Sequence, residues 1–374
     1  MRTQMKTIQM VDLVGQYEKI RPSVDEAIMG VMGSAAFIKG PEVTSFQEEL
    51  QAYLGVKHVI PCANGTDALT LVLMAWGVGP GDAVFVPSFT YVASAEAPAQ
   101  LGATPFFVDV CEDTFNIDTK LLDKSVNKKS KVILPVHLFG NPAEMSKIQL
   151  IAKKNNLLVI EDACLATGAE YNKKKIGSLS DLCVFSTNPG KVLDGIGSGG
   201  IITTNNKKLF ITLKKLRDYG RRSRPSKWPV KSDLIGYNSK MSSINASILN
   251  IRLRYLDSYI EKRNQNALMY MDLLDSKKIK FQKVLYNSKS AWRTFTIRVR
   301  NRNQIYSELY DKNFKVALGY LPINYKDACY KKLGKNINLK TTEIISSEII
   351  NLPCHQYMSK KEILKISKNI LSLV

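Results

Sequence analysis

The chain has 374 residues, of which 45% are apolar and 23% are charged, a composition that is typical of globular proteins and excludes bulk disorder and a small disulfide scaffold. Its 53 basic and 33 acidic residues give a net charge of +20, but no recognition helix or aromatic platform accompanies the lysines, so we interpret them as a solvated surface and expect no nucleic-acid partner. The apolar runs are too short to span a bilayer, and the amino-terminal segment MRTQMKTIQMVDL lacks an apolar core, so we expect a cytoplasmic protein without a membrane partner.

Cysteine and histidine usage argues against a metal site. The six cysteines form no CxxC pair, and of the three histidines only His355 adjoins a cysteine, Cys354, with nothing nearby to complete a ligand set. We therefore expect reduced thiols, no bound metal and no histidine-based nucleophilic triad.

Short β-branched runs alternate with helical stretches from about residue 57 to residue 205. This alternation predicts a mostly parallel sheet covered by helices on both faces, with ligands at the carboxyl ends of the strands. The predicted strands are HVIPCA (58–63), AVFVPS (83–88), TPFFVDV (104–110), KVILPVH (131–137) and LLVIEDA (157–163).

The carboxyl-terminal third has a different pattern. Residues 207–219 and 241–264 are predicted helices, TFTIRVRNR (294–302) alternates like a half-exposed strand, and EILKISKNIL (362–371) is an amphipathic helix. We therefore predict a large domain over residues 1–260, which includes an amino-terminal helical segment, and a smaller α/β domain over residues 261–374.

Two strand ends carry residues suited to binding an anion or a ligand. In ANGTDAL (63–69), Gly65 permits a tight turn and a helix begins near Thr66, so its free N–H groups would bind an anion; simple capping by Asn64 or Thr66 is equally compatible. In VIEDACLATGA (159–169), Glu161 and Asp162 point to opposite sides of the strand, so one of them would face a ligand unless Asp162 is only a cap.

Ser186 and Lys191 follow a further strand in CVFSTNPGKVLDG (183–195). A lysine among Pro, Gly and apolar residues is a candidate for a lowered pKa and Schiff-base chemistry, although such a lysine alone is also typical of a surface loop. The adjacent GIGSGG (195–200) matches GxGxxG but precedes a strand rather than a helix, which favours a turn between two close backbones over a dinucleotide site.

In chain order, these segments provide an anion cradle, an aromatic ring at Tyr91, a strand-end acid and a loop lysine. Pyridoxal 5′-phosphate (PLP) requires this set: phosphate anchors, a face that stacks on its ring, an acid for its ring nitrogen and an amine for its aldehyde.

The chain resembles nucleotide-sugar aminotransferases of the DegT/StrS type over nearly its whole length. The resemblance implies an α/β, PLP-dependent transferase of fold type I, with a mostly parallel seven-stranded sheet sandwiched by helices and a smaller carboxyl-terminal α/β domain. It is carried by MVDLVGQY (10–17), AFIKGPEVTSFQEEL (36–50), residues 63–97, PVHLFGN (135–141), EDACLATGA (161–169), FSTNPGKVLDGIGSGG (185–200), GYNSKMSSINASI (236–248) and NLPCHQYMSKKEI (351–363).

The resemblance also implies roles for individual residues. Lys191 matches the lysine that binds PLP covalently, Asp162 matches the acid at the ring nitrogen, and Tyr91 matches the ring that stacks on the cofactor. Asn238 matches an asparagine that reaches the cofactor phosphate of the neighbouring subunit. The remaining expected cofactor contacts are Gly65, Thr66, Cys164 and Ser186. The expected substrate contacts are Arg221, Arg222 and Tyr320. The two arginines belong to a basic loop, YGRRSRPSKW (219–228), that also carries Arg224 and Lys227 and lies between a predicted helix and Asn238, so they would bind the substrate diphosphate unless the loop is only a solvated basic one.

By the same resemblance, the reaction is transfer of an amino group from glutamate to a keto-sugar carried on UDP or dTDP, in a homodimer with shared active sites. Two alternatives remain open at this point: a PLP-dependent sugar dehydratase of the same fold, whose members carry His at the lysine position, and a non-catalytic PLP-binding regulatory protein. The sequence departs from the family pattern at Leu165, where Gln is usual, at Thr167, where His or Ser is common, and at Lys240, where Arg is usual.

Overall fold

The computed structural model describes residues 7–222, 231–320, 326, 329–330 and 339–374. The α-helices of these residues are α1 Leu13–Ser34, α2 Pro41–Leu54, α3 Gly65–Ala75, α4 Ala93–Gln100, α5 Thr119–Ser125, α6 Met145–Asn155, α7 Lys207–Leu216, α8 Ser243–Leu253, α9 Leu256–Leu273, α10 Arg302–Asp311, α11 Lys340–Glu348 and α12 Lys360–Leu371. The strands are β1 His58–Cys62, β2 Ala83–Pro87, β3 Thr104–Val108, β4 Ser130–Ile133, β5 Leu158–Asp162, β6 Glu170–Tyr171, β7 Lys174–Lys175, β8 Leu182–Ser186, β9 Gly200–Thr204, β10 Lys280–Phe281, β11 Ser288–Lys289, β12 Phe295–Arg298 and β13 Ile349–Leu352.

The central sheet has seven strands in the order β1-β9-β8-β5-β4-β2-β3. The pairs from β3 to β8 are parallel, whereas β9 is antiparallel to both β8 and β1. The predicted mostly parallel, seven-stranded α/β fold is therefore confirmed. The segments that follow β2, β5 and β8 meet at the edge of the sheet formed by the carboxyl ends of these strands.

Apolar side chains cover both faces of this sheet. Along β8, Val184 packs in one core cluster and Phe185 in another, so successive residues of the strand are buried on opposite sides. Helix α3 contributes Leu69 to the first cluster, and helix α2 contributes Leu50 to the second. Because both faces are buried, the sequences of these strands are continuous apolar runs rather than alternations of apolar and polar residues.

A third cluster is built on the antiparallel sheet β10-β12-β13, with Phe295, Ile350 and Ile366 in its interior. The predicted domain boundary after residue 260 lies inside α9: Ile260 packs in the second cluster, whereas Tyr270 packs in the third. The division into two domains stays a prediction.

Two predicted elements differ from the observed ones. The single helix expected over 241–264 is two helices, α8 and α9, that meet at Arg254 and Tyr255. The strand expected over 294–302 ends at Arg298, where its pairing with β13 ends, and a helix begins at Arg302. The expected half-exposed alternation is also wrong, because all four residues of β12 are buried.

Candidate active site

A cavity of about 680 Å³ opens at the carboxyl-end edge of the central sheet. Strand β8 leads into it at Ser186, β5 at Asp162, and α3 begins at its wall. This is the edge at which the alternation of strands and helices predicted a ligand site. Its further lining residues include Asn64, Gly65, Thr66, Thr90, Tyr91, Phe139, Cys164, Leu165, Asn188, Lys191, Arg293, Thr294, Tyr320 and Asn351.

Lys191 lies in this cavity rather than on a surface loop. Burial lowers the pKa of its amine, and the positive charge of Arg293 lowers it further, while Cys164 and Asp162 act in the opposite direction. A lysine whose charged form is disfavoured is present as the neutral, nucleophilic amine at a lower pH than an exposed lysine. Lys191 therefore has the environment that attack on a carbonyl group requires.

Asp162 and Glu161 lie on opposite sides of β5, as predicted, and do not contact the same groups. The Oδ2 atom of Asp162 accepts a hydrogen bond from Ser94 Oγ at 2.8 Å, and Oδ1 accepts one from the Cys164 N–H at 3.2 Å. Because each carboxylate oxygen can accept more than one hydrogen bond, Asp162 retains the capacity to accept another donor from the cavity.

Glu161 belongs to the interior on the other side of the strand. Its Oε1 accepts from the backbone N–H and the hydroxyl of Ser180, at 3.0 and 2.7 Å, and its Oε2 lies 3.2 Å from His137 Nε2. Since His137 Nδ1 accepts from the Ala143 N–H at 3.0 Å, the proton that His137 donates to Glu161 resides on Nε2. The backbone N–H of His137 also donates to the Asp162 carbonyl at 3.0 Å, so this pair stabilises the strand end that carries the acid.

The amino terminus of α3, where the sequence predicted an anion cradle, lines the cavity. The side chain of Asn64 accepts a hydrogen bond from the Asp67 N–H at 2.7 Å, whereas the first N–H groups of a helix, those of Gly65 and Thr66 here, have no intrahelical partner. A Cβ atom on Gly65 would lie 3.0 Å from Ser186 Cβ and 3.2 Å from Cys164 Sγ. Asn64 therefore caps the helix without using the N–H groups of Gly65 and Thr66, and glycine keeps space between the helix and the Ser186 hydroxyl.

Aromatic rings form another part of the cavity lining. Tyr91 is 59% exposed, and its ring centroid lies 6.1 Å from that of Tyr320. Tyr320 stacks on Phe139 with a centroid distance of 5.6 Å and an interplanar angle of 2°. Burial raises the pKa of the Tyr320 hydroxyl, which therefore stays neutral. Tyr91 is thus held at the mouth of the cavity, with an open ring face available for stacking.

These residues fit PLP. The N–H groups of Gly65 and Thr66 and the hydroxyl of Ser186 suit a phosphate, Asp162 suits a ring nitrogen, and Lys191 suits an aldehyde. Leu165 lines the same cavity and is 8% exposed. The hydrogen bond that the family's usual Gln donates to the cofactor cannot come from this side chain.

Asn238 is not among the residues that line this cavity. It is exposed, pairs as an isolated β-bridge with Asp218, and accepts a hydrogen bond from Lys240 Nζ at 2.5 Å. Lys240 also donates to Asp218 Oδ1 at 3.0 Å. Lys240, which stands where the family usually has Arg, therefore still places a cation beside Asn238.

Arg221 and Arg222 also lie outside the cavity. Arg221 lies over the ring of Tyr219 at 4.7 Å, and Arg222 Nε donates to Asp233 Oδ1 at 2.7 Å. Both guanidinium groups are partly exposed, which suits either a solvated basic loop or a surface that meets a diphosphate. The other two cations of the predicted basic loop, Arg224 and Lys227, lie outside the described residues.

Sequence reasoning missed Arg293 and Asn351, both of which line the cavity. The Nε and Nη1 atoms of Arg293 and the Oδ1 atom of Asn351 are buried without a hydrogen-bond partner among the described residues. Arg293 is a single cation ahead of a strand and belonged to no motif, and Asn351 begins the segment NLPCHQYMSKKEI (351–363), which carried the resemblance without assigning this residue a role. No group of three or more His, Cys, Asp or Glu side chains in the described part of the chain is arranged to hold a metal ion. Within that part, none of the helices combines the length and apolar character required to cross a bilayer.

Comparison with known proteins agrees with this geometry. A sequence model described as the DegT/DnrJ/EryC1/StrS aminotransferase family matches residues 18–371. The chain is 36% identical over 359 residues to a protein of Aneurinibacillus thermoaerophilus named dTDP-3-amino-3,6-dideoxy-alpha-D-galactopyranose transaminase, covering 96% of this chain and 97% of that one.

Solved structures show the same fold. The crystal structure of DesV from S. venezuelae superimposes with a TM-score of 0.95 at 31% identity, covering 99% of both chains. The structure of ntda from Bacillus subtilis, solved with bound cofactor PMP (pyridoxamine phosphate), superimposes with a TM-score of 0.90 at 26% identity and covers 100% of this chain and 86% of that one.

Proposed function

Since the chain belongs to the DegT/DnrJ/EryC1/StrS aminotransferase family, whose cofactor is PLP or its aminated form PMP, we propose that it transfers an amino group from glutamate to a keto-sugar carried on UDP or dTDP. The observation that carries this proposal is the presence in one cavity of an amine, Lys191, an acid, Asp162, and the anion cradle at Gly65. The transaminase name of the relative with 36% identity supports the sugar-nucleotide substrate.

When bound, PLP supplies an electron-withdrawing ring that stabilises negative charge on the carbon next to the amino nitrogen. Asp162 would hold the ring nitrogen, and the first turn of α3 together with Ser186 would hold the phosphate. Tyr91 would stack on the ring. Lys191 would attach the cofactor through its amine and would serve as the base that moves a proton at the donor Cα.

The proposal includes a homodimer in which each active site takes a residue from both chains. Asn238 is exposed and outside the cavity of its own chain, and Ile235 beside it is 90% exposed. A polar side chain next to exposed apolar surface suits a subunit interface. In this arrangement Asn238 reaches the phosphate in the neighbouring subunit, and Arg221 and Arg222 approach the substrate diphosphate. We place the enzyme in the cytoplasm, where its six unpaired cysteines stay reduced.

The two alternatives have less support. A dehydratase of this fold resembles this chain but carries His where Lys191 stands. A non-catalytic PLP-binding protein has no need of a buried amine and an acid in the same cavity, and here both are retained. Leu165 changes one contact to the cofactor and leaves the amine and the acid in place.

Product formation tests the proposal. The purified protein, supplied with PLP and L-glutamate, is incubated with a panel of UDP- and dTDP-linked 3-keto and 4-keto sugars, and products are identified by mass spectrometry. We expect one aminated nucleotide sugar and an equal amount of 2-oxoglutarate, both absent with Lys191→Ala and retained with the control Lys174→Ala, which changes an exposed lysine on β7. A dehydrated sugar without 2-oxoglutarate would support the dehydratase instead.

A further inference from the structure

Lys191 stands on a loop that is held by hydrogen bonds within its own backbone. The Gly195 N–H donates to the Thr187 carbonyl at 2.8 Å, and the Lys191 N–H donates to the Asn188 carbonyl at 3.1 Å. These two bonds join the ends of the loop and form a turn at Lys191. Neither of them holds Gly190, the residue immediately before the lysine.

The side chain of Asp194 holds Gly190. Its Oδ2 atom accepts a hydrogen bond from the buried Gly190 N–H at 2.8 Å. Gly190 has a φ of +86°, in the left-handed region that favours glycine, and this conformation directs its N–H towards the carboxylate. Without this acceptor a buried backbone donor would be left unpaired, which would destabilise the turn that carries Lys191.

Two distant helices hold the carboxylate of Asp194 in turn. Its Oδ1 atom accepts from Arg252 Nη1 of α8 at 2.7 Å and from Gln16 Nε2 of α1 at 2.8 Å. Arg252 Nη1 also donates to the Asp194 backbone carbonyl at 2.7 Å. The side chains of Asp194 and Arg252 are 1% and 5% exposed. Because three donors fix both oxygens, the carboxylate has little freedom to rotate away from Gly190.

Apolar neighbours also anchor this loop, but they act differently. Val192 and Leu193 are buried in the second core cluster. Apolar burial is non-directional, so it sets how deeply the loop lies, whereas a hydrogen bond to the adjacent residue sets the direction of the backbone at Lys191. Asp194 is not among the residues that line the cavity, so any effect of Asp194 on the site passes through the loop.

We infer that Asp194 is a positioning residue, which fixes the amine of Lys191 in the cavity through the Gly190 N–H. This inference rests on the proposed function, in which Lys191 attaches PLP and moves a proton. Both steps require the amine at a defined place, and a misplacement of about 1 Å can slow such a step on the order of 100-fold.

Two variants of nearly the same shape separate the hydrogen bond from the rest of the side chain. Asp194→Asn keeps an oxygen that can accept from Gly190, and Asp194→Leu does not. Cofactor-free protein is mixed with PLP, and covalent attachment is followed by absorbance. We expect Asp194→Leu to slow attachment by about 10- to 100-fold and Asp194→Asn by about two- to fivefold.

PMP provides the readout that a general loss of structure would move. It carries an amine in place of the aldehyde and therefore occupies the cavity without attaching to Lys191. Calorimetry should show PMP affinity within about twofold of the unmodified protein in both Asp194 variants, because the phosphate and ring contacts do not involve the Lys191 loop.

Two controls address the buried charge that both variants leave on Arg252. Each variant is also made together with Arg252→Met, which replaces the ion pair by apolar side chains and keeps the comparison available if a single variant fails to fold. Glu348→Gln breaks the ion pair of another buried arginine, Arg298, at 2.7 Å, and neither partner lines the cavity. It should lower the melting temperature and leave the attachment rate within about twofold.

Three outcomes would overturn the inference. These are equal attachment rates in folded Asp194→Asn and Asp194→Leu, a loss of PMP affinity as large as the loss of rate, and an equal slowing in Glu348→Gln.

Competitive acetylation of Lys191 in the cofactor-free protein distinguishes such a failure from failure of the proposed function. Its pH dependence reports the pKa of Lys191, which burial lowers. Asp194→Leu should raise this pKa towards that of an exposed lysine, because the released amine regains hydration, and Asp194→Asn should not. If the unmodified protein attaches no PLP at Lys191, the proposed function fails. A pKa raised in Asp194→Leu alone would then still support the positioning role, and the same pKa in both variants would remove it.

Discussion

Replacing Asp162 with Asn removes the negative charge from the group that we expect to hold the PLP ring nitrogen, with almost no change in shape. The carboxylate accepts from Ser94 Oγ at 2.8 Å and from the Cys164 N–H at 3.2 Å. An amide keeps only one of these acceptor positions and places an NH₂ group at the other. The variant should therefore fold, but with a cavity poorly matched to a protonated ring nitrogen.

The magnitude follows from the difference between charged and neutral hydrogen bonds. A bond to a charged group contributes about 1.5–3 kcal/mol and a neutral one about 0.5–1.5 kcal/mol, so Asp162→Asn should weaken PLP binding by about 1–2 kcal/mol, or about 5- to 30-fold. The half-reaction with glutamate should slow more, on the order of 100-fold, because the charge acts on the transition state as well as on binding.

Fluorescence titration of the cofactor-free protein with PLP measures the affinity, and cofactor absorbance measures the half-reaction. Glu161→Gln is the matched control: it changes the neighbouring residue on the other side of β5, where the carboxylate bonds Ser180 and His137. It should lower the melting temperature and leave PLP affinity within about twofold. If Asp162→Asn binds PLP as tightly as the unmodified protein, or if Glu161→Gln weakens binding equally, the assignment of Asp162 is wrong.

Three further predictions concern sharing of the site, substrate charge and pH. A verified heterodimer of Lys191→Ala and Asn238→Ala chains should regain one intact site and measurable turnover, and no recovery would argue against sharing. Replacing both Arg221 and Arg222 with Ala should raise KM for the sugar nucleotide several-fold, make sugar-nucleotide binding less sensitive to salt and leave the glutamate half-reaction unchanged. An unchanged KM would indicate that the two arginines belong only to a solvated loop. The rate at which Lys191 reattaches PLP should reach its plateau at a lower pH than that of an ordinary lysine, because burial lowers its pKa, and Arg293→Gln should shift the profile to higher pH, because the Arg293 charge also lowers it.

The central sheet and most of the candidate site were predictable because they depend on local signals. Strands such as β8 are buried on both faces, so each reads as an apolar run, and Asp162, Ser186 and Lys191 follow the ends of such runs. Gly65 was predictable because a turn between a strand and a helix favours glycine.

Other features depend on contacts between residues that are distant in the sequence. Arg293 enters the cavity because its backbone pairs with Phe139, more than 150 residues earlier, and a lone arginine before a strand gives no indication of this. The antiparallel direction of β9 and the break between α8 and α9 near Arg254 are set by packing against neighbouring elements. Periodicity does not distinguish one long amphipathic helix from two short ones in line.

Reductive trapping of the cofactor tests the central claim most directly. The purified protein is loaded with PLP, treated with borohydride and digested, and the labelled peptide is sequenced by mass spectrometry. We predict a single stable label on Lys191, within the segment that follows β8, and none in Lys191→Ala. A label on another lysine, or no label in a protein that binds PLP, would contradict the assignment of Lys191 and with it the proposed aminotransferase site.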